Sequence, residues 1–95
     1  MNARLEGERL ALGGDLNYKT VPSLLATSAE QLKAGARIID FAEVGEVDSA
    51  ALAMILELLR QAGPDTPLRF VNLPAKLTKL AELYAVRELL EAQAA

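Results

Sequence analysis

The chain has 95 residues, 52% of them apolar, so it can bury one modest core and is unlike an intrinsically disordered sequence. A net charge of −3 and only 4% aromatics argue against nucleic acid as a main partner, which needs a basic, stacking surface. With no Cys and no His, disulfides and thiolate or imidazole catalysis are excluded, and a zinc site nearly so. No apolar run reaches the ~18–20 residues that cross a bilayer, and the start, MNARLEGERL, has no apolar signal core, so the expected compartment is the cytoplasm.

In chain order, Ala3 to Glu6 reads as a weak strand and Gly7 as a turn. Arg9 to Leu12 pairs back as a second strand with Leu10 and Leu12 on one face. Gly13-Gly14 ends or bulges it, and Leu16 stands as a lone anchor in a loop. Thr20-Val21-Pro22 has the form of a helix start, with a hydroxyl at the N-cap and Pro in the first turn. Leu25, Ala29 and Leu32 mark the buried face of that helix, and Gly35 stops it. Ala36 to Phe41 is a nearly continuous apolar strand, of the kind found where both faces are covered.

A short acidic loop with Glu43, Gly45 and Glu46 follows, and Asp48-Ser49 opens a second helix running to about Ala62. Its core stripe is Leu52, Ile55, Leu56 and Leu59. Gly63-Pro64 ends it. Leu68 to Val71 is a further strand, and Pro74 starts a third helix with Leu77, Leu80, Ala81 and Tyr84 facing inward. A short final helix, about Val86 to Glu91, places Leu89 and Leu90 against the core, and the last four residues fray. The stretch Ile38 to Arg60 is the most strongly patterned. The predicted order β-β-α-β-α-β-α-α gives an α/β domain spanning 1–95, with a mixed, mostly parallel sheet of about four strands and about four helices.

The outer face of the second helix is the first candidate for function. At 100° per residue, Ala50, Ala53, Glu57 and Gln61 point outward with Met54 at the border, so the first two turns are small and apolar. Such a surface lets another backbone approach closely, although Ala is also simply the best helix former. Asp48-Ser49 is consistent with a plain N-cap, a regulatory phosphoacceptor or a hydroxyl that bonds a partner. A catalytic serine lacks a histidine base. The acids Asp40, Glu43, Glu46 and Asp48 match no metal-loop template and read as a solvated loop. Lys76 and Lys79 lie on the outer face of the third helix. No phosphate loop is present, and no cofactor or metal is expected.

VGEVDSAALAMILELLR resembles the signature of the STAS domain, the fold shared by sulfate-transporter tails and anti-sigma factor antagonists. LALGGDLNYKTVPSLL is similar to the family's early turn and first helix. LRFVNLPAKLTKLAELYAV resembles the closing segment of the MlaB-type branch, with Leu77, Leu80, Ala81, Leu83 and Tyr84 in its pattern. In the antagonists the phosphorylated hydroxyl stands two residues after the Asp; here that position is Ala50, followed by Ala51. Asp48-Ser49-Ala50-Ala51-Leu52-Ala53 fits the MlaB-type form instead. The resemblance implies a non-catalytic subunit that binds the ATPase of a phospholipid ABC transporter, peripheral to the inner membrane. Asp48, Ser49, Ala50, Ala53, Met54 and Glu57 are its expected contact surface, with Lys76 and Lys79 as flanks and Ser49 as a possible regulatory hydroxyl. The alternatives are an anti-sigma factor antagonist that binds a kinase, and an enzyme or small-ligand carrier.

Overall fold

A computed structural model of the chain describes residues 2–83. They form β1 (Asn2–Glu6), β2 (Arg9–Leu16), α1 (Val21–Lys33), β3 (Ile38–Val47), α2 (Ser49–Ala62), β4 (Arg69–Val71) and α3 (Ala75–Leu83). The expected α/β order holds through these seven elements, with three helices among the described residues. The predicted final helix, with Leu89 and Leu90, and the inward placement of Tyr84 lie outside the described residues.

The strands lie side by side in the order β1-β2-β3-β4. β1 and β2 form an antiparallel hairpin, while β2, β3 and β4 are parallel. Both crossovers step in the same direction, so right-handed connections put α1 and α2 on the same face of the sheet. α2 packs against both α1 and α3. The core lies between this helical layer and the inner sheet face, where Leu10, Leu12, Ile39 and Phe70 are almost wholly buried. The rings of Phe41 and Phe70 meet in a tilted pair, with centroids 6.3 Å apart and planes at 51°.

This arrangement corrects the expectation that the central strand is covered on both sides. Its outer face carries charge instead. Arg4 pairs with Glu6 at 2.7 Å and approaches Glu43 at 3.7 Å, and Arg9 pairs with Asp40 at 2.8 Å.

β3 departs most from the sequence reading. The predicted loop at Glu43, Gly45 and Glu46 is strand, and so is Leu16. The pairing of β2 with β3 shows why. Ala11 faces Asp40 but Gly13 faces Glu43, and Gly14 faces Val44 but Leu16 faces Val47. Each step gains one residue on β3, which makes two bulges. The inward residues therefore run Ile39, Phe41, Val44, Val47, with the period of two broken twice. A bulge leaves an amide without a ladder partner. An aspartate accepts each one: Asp40 Oδ1 from Ala42 N at 2.9 Å, and Asp15 Oδ1 from Glu46 N at 2.9 Å. Gly45 leaves room for this bond at the second bulge, since a Cβ there would lie 2.5 Å from Asp15 Oδ1 and push the carboxylate aside.

Two details of α1 also differ. Thr20 makes no side-chain cap; its hydroxyl turns back to Asp15 O at 2.7 Å. Val21, Leu24, Ser28 and Leu32 form the buried stripe, with Leu25 and Ala29 at its edge. The stripe is rotated because α1 wedges against α2 as well as the sheet.

Candidate functional site

The second bulge sets up the start of α2. With Val47 turned inward opposite Leu16, Asp48 N donates to Leu16 O at 3.1 Å. Asp48 is extended (φ −132, ψ −168), and its Oδ1 accepts from Ala50 N at 2.8 Å. This is an N-cap of the kind worth about 1 kcal/mol. The acidic residues thus split into separate roles. Glu43 and Glu46 are exposed, Asp48 caps the helix, and Asp40 is buried, which corrects its assignment to a solvated loop.

Asp40 ties the three parallel strands together. Its Oδ2 accepts from Arg9 Nε at 2.9 Å and its Oδ1 from Asn72 Nδ2 at 2.9 Å. Burial pushes its carboxyl pKa up, but the hydrogen bonds from Asn72, the Ala42 amide and Arg9 outweigh this and hold it below the usual carboxylate value. Asn72 takes a left-handed conformation (φ 57), which Asn tolerates better than most residues, and this aims its amide at Asp40.

On α2, Ser49 and Ala53 are exposed one turn apart. The Ser49 hydroxyl has no hydrogen-bond partner among the described residues. Ala50 is half-buried and packs on the core, and Glu57 is half-buried at the far end of the same face. Hydrogen bonds from Arg60 and then Gln61 pull the Glu57 carboxyl down to about 2. Met54 leaves the surface: it is 2% exposed and belongs to the core. The reason is geometric. α2 packs on both α1 and α3 and shares the core with the inner sheet residues, so its buried stripe widens to Ala51, Leu52, Met54, Ile55 and Leu58, and the free face narrows to Ser49, Ala53, Glu57 and Gln61. Lys76 and Lys79 are exposed on α3, which packs beside α2 through Leu77 and Ala81.

The sequence reading missed the turn between β2 and α1. Asn17, Tyr18 and Lys19 follow Leu16, whose carbonyl binds Asp48, so the turn sits next to the start of α2. Tyr18 is 72% exposed, with Lys19 Nζ 5.8 Å from its ring centre. No periodicity marks a residue on a turn, so only the fold shows that it lies near the start of α2.

A cleft of about 140 Å³ between the C-terminal ends of α1 and α2, lined in part by Lys33, Arg37, Gln61 and Thr66, lies at the opposite end of α2 from Ser49. Among the described residues there is no group of three or more acidic, His or Cys side chains able to hold a metal. No helix among them is long and apolar enough to cross a membrane.

The sequence matches the family model described as Mlab, STAS domain over residues 1–91. No curated protein matches it. Among solved structures it is similar to the anti-sigma factor antagonist SpoIIAA in its unphosphorylated form, with a TM-score of 0.69 and 16% identity over 92% of this chain and 82% of that one. At that identity the likeness is one of fold alone.

Proposed function

The chain belongs to the MlaB-type STAS domain family, and from that membership we propose that it is a non-catalytic accessory subunit that docks on an ABC-transporter ATPase. The transporter in this reading moves phospholipid and maintains outer-membrane lipid asymmetry. The chain would then work in the cytoplasm, held at the inner membrane through its partner.

One observation carries the reading. A free hydroxyl at Ser49 stands beside the exposed methyl of Ala53, at a helix start that Asp48 already caps. Small side chains at the centre let a partner helix or loop approach closely, and the unused hydroxyl can bond across the contact. Ala50, where the antagonist branch carries its phosphorylated hydroxyl, offers only a half-buried methyl here. That disfavours a phosphorylation switch as the working principle. Asp48 holds the helix start, Ala50 and Glu57 border the contact, and Lys76 and Lys79 flank it.

The test is co-purification with the ATPase subunit. Ala53→Arg places a long charged side chain at the centre of the face without touching the core. Loss of the complex, with the thermal melt of the variant unchanged, is the expected outcome. An intact complex rejects this surface.

A further inference from the structure

We infer that Tyr18 is the aromatic anchor of the docking face, seated in an apolar pocket of the partner protein whose rim presents a carboxylate to Lys19. The inference rests on the docking reading above and adds a residue that reading does not contain.

Three observations carry it. The first is exposure. Phe41 and Phe70 are in the core, whereas Tyr18 stands 72% exposed; among the described residues the other large apolar side chain left out is Leu83, the last of them. An aromatic ring so displayed buries a large area on contact and loses little rotamer freedom, and Tyr is among the residue types that dominate binding energy.

The second is preorganisation. Asn17 Oδ1 accepts from Lys19 N at 2.9 Å and from Thr20 N at 3.1 Å. Thr20 Oγ1 accepts from Asn17 N at 3.0 Å while donating to Asp15 O at 2.7 Å. Side-chain bonds on both flanks thus hold the turn before any partner arrives, so little ordering entropy is lost on binding.

The third is position and charge. Leu16 O binds Asp48 N, so Tyr18 follows one strand end by two residues and Ser49 begins the helix after the neighbouring strand end. Because β2 and β3 are parallel, both lie at the same end of the sheet, beside the start of α2. Lys19 makes no salt bridge among the described residues, and its ammonium lies 5.8 Å from the Tyr18 ring centre. A pocket that takes the ring meets that cation, and a carboxylate on its rim is the complementary group.

The experiment measures affinity of the full chain for the purified ATPase subunit by surface plasmon resonance. Tyr18→Ala is expected to weaken binding about 30-fold, the loss typical when a central aromatic anchor is truncated. Tyr18→Phe is expected to stay within about threefold, since the ring supplies the buried area. Lys19→Glu is expected to slow association most strongly at low salt. Circular dichroism melts verify that the exposed substitutions leave the fold intact. If Ala53→Arg abolishes binding while Tyr18→Ala stays within about threefold, the anchor is overturned and the docking reading stands. If Lys19→Glu binds faster than the parent, the acidic rim is overturned. If the parent chain itself shows no affinity for the ATPase, the docking reading and the anchor fall together.

Discussion

Replacing Asp40 by Asn tests the claim that a buried carboxylate joins the three parallel strands. Asn has nearly the same shape, and its one oxygen can still accept from Ala42 N and Asn72. Its amide, however, turns a donor toward Arg9, where Asp40 Oδ2 accepts from Nε at 2.9 Å and lies 2.8 Å from Nη2. Hydrogen bonds to charged groups contribute about 1.5–3 kcal/mol when shielded. The Arg9 side chain is 50% exposed and recovers water when released, so a net loss of about 1.5–2 kcal/mol at pH 7 is expected. For a chain of this size that lowers Tm by about 6–16 °C. The folded-state pKa of Asp40 lies below its ordinary value of 3.8, so its stabilising contribution is complete above that pH and is lost as pH falls through the folded value. Urea unfolding at pH 7, 5 and 3, followed by circular dichroism, should therefore show a gap between parent and variant that is equal at pH 7 and 5 and narrower at pH 3. A gap that is absent at pH 7, or unchanged at pH 3, refutes the assigned role.

Two further substitutions probe the fold around the site. Ser28 is fully buried and its hydroxyl has no hydrogen-bond partner among the described residues, so Ser28→Ala should raise stability by about 1 kcal/mol in the same urea assay; a loss of stability would reveal a partner in solution. Gly45→Ala should push the Asp15 carboxylate off Glu46 N, costing about 0.5–1.5 kcal/mol and speeding hydrogen exchange at the Glu46 amide. Unaltered Glu46 protection would show that Asp15 is not the acceptor that satisfies the second bulge.

Local pattern decided much of this protein. Helix periodicity placed α1, α2 and α3, the Asp48-Ser49 step marked the start of α2, and that motif with its flanks led to the family. The tertiary structure decided what depends on neighbours. The tail of β3 could not be read as strand, because two bulges replace alternation with the spacing Ile39, Phe41, Val44, Val47, and a bulge exists only relative to the strand it pairs with. A helical wheel puts Met54 at a border because it shows one buried side, while α2 is packed by two helices and buries Met54 in the shared core. Asp40 looked like part of an acidic loop because its partners, Arg9 and Asn72, stand 31 and 32 residues away. Tyr18 comes beside the start of α2 only because Leu16 O meets Asp48 N. Short-range periodicity is written in each segment, whereas burial, register and the company a side chain keeps are set by contacts between segments far apart in the chain.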